Sequence, residues 1–196
     1  MLLWTIQSPA AVAALERKGV LVADHGAPEP SFRPAFDWMA RRMSQRLGPP
    51  PPNGRPLWAW QVWSAATARP DLRSSGHLPR GQRGARIGFV ADPARVVLSD
   101  FEGWHYVLNH WYLPASSRDE RLFAAQVRAA GLDHHTHRLI PDRRLQSHIE
   151  ASWDRIFRIG PSGGRPSRHL AVASTQATFW SLPRASVRSI QWFTAR

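Results

Sequence analysis

The strongest constraint on this fold is a helical pattern that runs directly into a stretch of prolines. In "FRPAFDWMARRMSQRLG" the apolar residues Phe32, Phe36, Met39 and Met43 recur with the 3.6-residue period of one helix face. Gly48 can end this helix, and the prolines of "PPPPNGRP" lack the N–H and the conformational freedom to continue it. Residues 48–56 are therefore predicted to be a proline-rich loop; a ligand for another domain is the alternative.

Patterning elsewhere predicts further strands and helices. The segments with strand character are "LLWTIQ", "VLVAD", "LWAWQVW", "ARIGFVA", "RVVLSD", "HLAVASTQATFWSL" and "VRSIQWFTAR". Ser8 and Pro9 open a helix that Gly19 ends. The pairs Ser99 with Glu102 and Ser117 with Glu120 are typical of capping boxes, and "PDRRLQSHIEASWDRIF" has a helical apolar face.

These elements predict an α+β fold in a single domain over residues 1–196, with four to five helices and a mixed or largely antiparallel sheet. A long polar loop is expected over residues 64–84, and a Gly/Ser/Pro-rich connector over 160–168.

Charge and cysteine content limit the function classes. The formal net charge is +12, and Lys18 is the sole lysine, so nearly all the basic charge is arginine. This favours a polyanionic partner, although a genome-wide bias towards arginine would give the same composition. The absence of cysteine excludes disulfides and thiolate chemistry and fits a cytoplasmic protein, and no apolar stretch is long enough to span a membrane.

The stretch "SDFEGWHYVLNHWYLP", residues 99–114, is the first candidate site. As a helix it would place its large apolar side chains on one stripe, with His105 and Asn109 at the edge: Phe101, Trp104, Leu108, Trp111 and Tyr112. His105 could move a proton at a pocket rim, or it could be a structural histidine held by a core hydrogen bond.

Two histidine- or arginine-rich segments are further candidates. "DLRSSGHLPRGQRG" sets Arg73 and His77 among glycines whose N–H groups can approach an anion, so it is either an anion site or a surface loop. "HHTHR" over residues 134–138, with His148 beyond it, has metal-ligand residue types but is more typical of an exposed link. Nucleophile-elbow and HExxH motifs are absent from the sequence.

Polar residues inside apolar strands mark a third group of candidates. Gln7 and Gln176 stand where valine would be expected, and a buried amide without partners costs about 1–3 kcal/mol. Trp58 and Trp60 alternate, as one face of a strand requires, and could form a stacking wall. The two glutamines could orient a ligand, or satisfy a sheet edge.

Seven stretches together resemble the bacterial domain-of-unknown-function family 3841. They are "LLWTIQS", "FDWMARRM", "WAW", "PDLRSSGHLPRGQRGARI", "VVLSDFEGWHYVLNHWYLP", "SWDRIF" and "QATFW…FTAR". The resemblance runs nearly end to end and implies a single-domain bacterial protein. It implies no activity and no assigned site.

The opening strand–helix–strand order also resembles that of compact ADP-ribosyltransferases. The resemblance implies NAD as cofactor, an Arg or His on the first strand and a catalytic Glu in a Gln-x-Glu pattern on a late strand. Here the first strand offers Thr5 and Gln7, and Thr178 follows Gln176 where the Glu would stand. Fold likeness alone does not carry the activity.

Three functional hypotheses follow. The first is a nucleotide- or NAD-handling, transferase-like enzyme. In it Arg73 holds a phosphate, His77 or His105 moves a proton, and Gln7 and Gln176 orient the ligand. Trp58 or Trp60 forms a stacking wall, and Asn109 contributes to the pocket. The second is a nucleic-acid-binding module without catalysis, whose affinity would fall with salt. The third is a protein-interaction domain, for instance of a toxin–antitoxin or defence pair.

Overall fold

The computed structural model describes residues 1–23, 29–64, 67–133, 139–159 and 174–196. Its strands are β1 (Leu2–Gln7), β2 (Val20–Val22), β3 (Leu57–Val62), β4 (Arg83–Val90), β5 (Val97–Asp100), β6 (Thr175–Phe179), β7 (Ser181–Pro183) and β8 (Val187–Thr194). Its helices are α1 (Pro9–Lys18), α2 (Arg33–Leu47), α3 (Phe101–Leu108), α4 (Ser117–Ala129) and α5 (Arg143–Trp153). The predicted α+β class is confirmed.

The strands form one large sheet and one small sheet. The large sheet has the order β5-β6-β3-β1-β4-β8, and β2 pairs with β7 in the small one. The pairings of β1 with β3 and β4, of β3 with β6 and of β4 with β8 are antiparallel. This confirms the expectation of a mixed or largely antiparallel sheet.

The chain divides into two compact units. The first, the sheet unit, contains Met1–Gly26, Met39–Leu98 and Ser174–Arg196, and the second, the helical unit, contains Ala27–Trp38 and Ser99–Ala173. In the sheet unit, α1 buries Ala11, Val12 and Leu15 against one face of the large sheet, where Leu3, Ile87 and Phe89 belong to the same apolar cluster. Alternation along the strands sends the intervening side chains to the opposite face.

Aromatic packing organises the helical unit. Trp38 meets Trp153 edge-on with ring centroids 5.6 Å apart and stacks on Phe157 at the same distance. Gly103 allows α3 to approach closely, since a Cβ there would come within 2.9 Å of the Ile156 Cγ2 atom.

Both proposed capping boxes are one residue out of place. Asp100, not Ser99, caps α3 by accepting the Gly103 N–H, and Ser116, not Ser117, caps α4 by accepting the Asp119 N–H. Ser99 lies within β5 and is fully buried. A cap is the last residue before the helical backbone begins, and a carboxylate serves as well as a hydroxyl.

The aromatic helix is shorter than predicted. α3 ends at Leu108, and His110 adopts a left-handed backbone with φ +58°. The Trp111 N–H then bonds the Tyr106 oxygen at 2.8 Å, which is the terminating bond of a Schellman motif. Trp111 and Tyr112 therefore lie beyond the helix, outside the stripe predicted for them.

Three segments were predicted to be loops or connectors: 48–56, 64–84 and 160–168. Residues 48–56 connect α2 to β3 without a helix or strand of their own, whereas β4 begins at Arg83, before the predicted end of the 64–84 loop. The connector over 160–168 lies outside the described residues. Within the described part of the chain, no helix has the length and hydrophobicity needed to cross a membrane.

Candidate functional site

The face of the large sheet opposite α1 carries a row of side chains from five strands. Register partners lie side by side on one face, and the row runs Gln176, Trp60, Trp4, Gly88, Ser189 across β6, β3, β1, β4 and β8. Trp58 and Arg86 stand two residues from Trp60 and Gly88, so they share this side. We call this surface the tryptophan face: Trp4, Trp58, Trp60, Arg86, Gly88, Gln176 and Ser189.

The tryptophan face has no room for a side chain at Gly88. A Cβ at Gly88 would lie 2.7 Å from the Ser189 Oγ and 3.4 Å from the Trp4 Nε1. The Trp4 indole therefore reaches over β4 because its neighbour in the row is glycine.

Gln176 is a polar side chain of this face whose hydrogen bonding is incomplete among the described residues. It is 8% exposed, and its Oε1 is buried without a hydrogen-bond partner among the described residues. A buried amide oxygen in that state costs about 1–3 kcal/mol relative to a bonded one. Such a group is available to a ligand that brings an N–H donor.

Arg86 is a buried cation with neutral partners. Its guanidinium, on a residue 6% exposed, donates to the Pro70 carbonyl and to the Gln191 Oε1. Among the described residues no carboxylate forms an ion pair with it. Burial lowers the pKa of Arg86, the Arg69 charge lowers it further, and Asp71 opposes both. An anion at this point would compensate the charge.

Asp71 and His77 organise the loop that leads into β4. Asp71 binds the Arg73 guanidinium at 2.9 Å, and hydrogen bonds from Arg73 hold the pKa of the Asp71 carboxyl down at about 2. The His77 Nε2 lies 2.8 Å from the Asp71 carbonyl oxygen, so Nε2 carries the proton and Nδ1 is the nitrogen that can accept one. The His77 ring packs between Trp63, at 4.9 Å, and Phe193, at 6.1 Å.

The structure thus brings three predicted site residues together on one face: Trp58, Trp60 and Gln176. Arg73 is exposed and already paired with Asp71. Gln7 lies on the other side of β1, with Leu3 and Thr5, and its Nε2 donates to the Thr5 Oγ1 at 2.7 Å. The Thr5 hydroxyl in turn donates to the Trp58 carbonyl at 2.7 Å, so Gln7 has a structural partner.

His105 and Asn109 belong to the helical unit. His105 is exposed, and its Nδ1 donates to the Phe101 carbonyl at 3.1 Å, while the Asn109 Nδ2 donates to the His105 carbonyl at 2.7 Å. Both side chains therefore form local hydrogen bonds with carbonyls of their own helix. Their catalytic role stays a prediction.

The sequence reading missed a charged cluster around Asp119 in the helical unit. The Asp119 carboxylate accepts the Tyr112 hydroxyl at 2.9 Å and the Ala115 N–H at 2.7 Å, and Arg155 lies 3.5 Å away. Burial raises the pKa of Asp119, but these three groups outweigh it and lower the pKa overall. We call these four residues the Asp119 cluster. The local sequence signal for this cluster was the position of Asp119 in the first turn of α4.

His110 was also missed. It is 4% exposed, its Nε2 donates to the Ser31 carbonyl at 3.0 Å, and its Nδ1 is buried without a partner among the described residues. As for metals, the described ranges contain no group of three or more His, Asp or Glu side chains arranged to hold an ion. The "HHTHR" segment lies outside those ranges.

The fold and this face define an α+β protein with one large, largely antiparallel sheet whose side opposite α1 is rich in tryptophan. The chain belongs to the DUF3841 family, a domain of unknown function, whose family model matches residues 2–188. No curated protein and no solved structure matches the chain. The likeness to compact ADP-ribosyltransferases therefore has no support beyond the order of the first elements.

Proposed function

We propose that the tryptophan face binds a nucleotide-type ligand, with NAD among the candidates, and that the sheet unit is a nucleotide-handling domain. The observation that carries the proposal is the buried Oε1 of Gln176, which lies beside Trp60 and has no partner among the described residues. An exocyclic amine of a nucleobase, or the carboxamide of nicotinamide, supplies the N–H donor that this oxygen lacks.

The spacing of the row suits a stacked base. Neighbouring strands lie about 4.8 Å apart, so Gln176 and Trp4 stand roughly 10 Å from each other with Trp60 between them. Trp60 packs edge-on against Trp63 at 4.6 Å, which fixes the indole ring. Stacking of a base on an aromatic ring contributes about 1–3 kcal/mol.

Arg86 is the group best placed to meet the phosphates. It lies on the same side of the sheet as Trp4, opposite Ile6 and Gln191 in the register. Because its present acceptors are neutral, an anion gains a full charge–charge interaction there. Arg73, the phosphate ligand predicted from the sequence, must instead be released from Asp71 before it can act.

His77 provides the chemistry that a transferase would need. With Nε2 engaged by the Asp71 carbonyl, its Nδ1 can accept a proton from an attacking hydroxyl or amine. This enzymatic step rests on the binding proposal and is tested after it.

Nucleic-acid binding is the second candidate. The observations that favour it are the same tryptophans together with the net charge of +12. A single strand would stack its bases on Trp58 and Trp60, and its affinity would fall steeply with salt because bound counterions are released.

The test is isothermal titration of the intact protein with NAD, ADP-ribose, AMP, ribose 5-phosphate and a short single-stranded oligonucleotide, each at two salt concentrations. We expect NAD or AMP to bind. Gln176→Met should weaken the affinity for that ligand about tenfold, since one hydrogen bond is lost. The affinity for ribose 5-phosphate, which has no base, should stay unchanged in this variant.

Gln7→Met is the matched control, since it removes the same amide from the opposite side of the same sheet. If both variants lost the same affinity, the loss would come from a change in the fold, and the proposal would be contradicted. It would also be contradicted if the unsubstituted protein bound no mononucleotide or dinucleotide. Binding confined to the oligonucleotide, and lost at high salt, would support the second candidate instead.

A further inference from the structure

The sheet unit contains a concave surface that shares no residue with the tryptophan face. It is a cavity of about 470 Å³, which lies within the size range of small-molecule sites. Pro49–Pro51 form one side of it, Phe89 and Trp180 another, and Arg95 and Asp92 bring charge to it. We call this cavity the proline cleft.

The walls of the proline cleft are held in place by contacts that need no ligand. The Trp180 Nε1 donates to the Gly48 carbonyl at 3.1 Å, which orients the indole ring. Phe89 packs on Phe179 with ring centroids 5.2 Å apart. The Gly54 N–H bonds the Pro51 carbonyl at 2.7 Å, and each proline ring fixes its own φ.

A preformed cavity of this kind is unlike ordinary packing. Protein interiors leave few voids larger than a water molecule, and stiff residues keep this one open. A ligand would enter without the entropy loss of ordering the walls, so even modest contacts give measurable affinity. Flat proline and tryptophan surfaces favour a flat, apolar group.

The two charged residues of the cleft differ in how well they are satisfied. The Asp92 Oδ1 already accepts the Ala94 N–H at 2.9 Å, as the cap of a short 3₁₀ turn. Among the described residues no carboxylate forms an ion pair with Arg95. The less compensated charge of the cleft is therefore positive.

We propose that the proline cleft is a binding site for a small aromatic carboxylate. The ring contacts the prolines and Trp180, and the carboxylate pairs with the Arg95 guanidinium, a geometry that can be bidentate. Asp92 lies at the same cavity and repels the ligand's charge, so the two side chains act in opposite directions. This proposal does not depend on nucleotide binding at the tryptophan face, and the two are tested by separate experiments.

The test uses three probes of one shape and different charge, titrated by calorimetry into the intact protein: 2-naphthoate, 2-naphthamide and 2-naphthylmethylammonium. We expect 2-naphthoate to bind most tightly. Arg95→Gln should weaken it about fivefold and leave the amide unchanged, and Asp92→Asn should tighten it while weakening the ammonium probe. Asparagine caps as well as aspartate, so Asp92→Asn keeps the turn.

Two further variants separate the cleft from the rest of the surface. Ala91→Phe places a ring in the cavity and should abolish 2-naphthoate binding. Arg188→Gln removes another exposed arginine, on β8 and outside the cleft, and should change nothing. The proposal is overturned if the three probes bind equally, if 2-naphthoate does not bind, or if Arg188→Gln weakens it as much as Arg95→Gln.

Discussion

The Asp119 cluster and the tryptophan face are both polar groups set among aromatic side chains, yet they are satisfied to different degrees. Both Asp119 oxygens have hydrogen-bond donors, and Arg155 balances the charge. On the tryptophan face, the Gln176 Oε1 lacks a described donor and Arg86 lacks a described carboxylate. A hydrogen-bond network whose groups are all paired stabilises the fold, whereas unpaired groups can still bond a ligand.

The largest expected effect comes from breaking the complete network. Asp119→Ala removes the acceptors of the Tyr112 hydroxyl and the Ala115 N–H and leaves Arg155 without its counterion. We expect the free energy of unfolding to fall by about 2–3 kcal/mol, measured by urea denaturation. Arg121→Ala, two residues further along α4 at an exposed position, is the control and should change little. A loss no greater than the control's would show that the cluster is not structural.

The opposite sign is expected on the tryptophan face. Gln176→Met replaces an amide whose buried Oε1 has no partner in the described part of the chain with an apolar side chain of similar length. The free energy of unfolding should therefore stay unchanged or rise by up to about 1 kcal/mol. Thermal and urea unfolding without ligand measure this. If Gln176→Met destabilised the protein as much as Asp119→Ala, the Gln176 amide would stabilise the fold. The contrast between the tryptophan face and the Asp119 cluster would then be wrong.

The two regions also differ in their response to acid. Because the pKa of Asp119 in the folded protein lies below its ordinary value of 3.8, the unfolded chain binds more protons as the pH falls through this range. The stability from Asp119 is therefore complete above the ordinary pKa and is lost as the pH falls through the folded value. Asp119→Asn should flatten this part of the stability profile; the remaining slope would come from other carboxyls such as Asp71.

The smallest effect concerns the start of α4. Ser116→Ala should lower the free energy of unfolding by about 1 kcal/mol, because the Asp119 N–H loses its acceptor. Ser117→Ala, at the first helical residue, should have almost no effect. Equal effects of the two substitutions would contradict the cap position seen in the structure.

Local signals in the sequence predicted much of the fold. Ser8, Pro9 and Gly19 correctly bounded α1, where Ser8 accepts the Ala11 N–H and Gly19 has φ +70°. Helix ends depend on backbone groups a few residues apart, so nearby residues suffice to predict them. The same reasoning failed at His110, because a histidine occupies the left-handed position that glycine usually takes.

The candidate site was predicted in part. Alternation alone indicated that Trp58 and Trp60 share a face, but it could not say that Gln176 joins them or that Gln7 does not. That difference depends on strand register, and a shift of one residue would exchange the two sides of a strand. The burial of Arg86 inside β4 likewise depends on β1 and β8 pairing on either side.

The sequence by itself determined the α+β class and the family to which the chain belongs, and it limited the sheet to a mixed or largely antiparallel one. These follow from short-range patterns and from residue identity. Only the tertiary structure decided which polar groups are satisfied and which are not. Hydrogen bonds such as those of Arg86 to Gln191 or of Trp180 to Gly48 join residues more than a hundred positions apart. A local pattern contains no information about contacts at that separation, and these contacts distinguish a structural cluster from a candidate binding site.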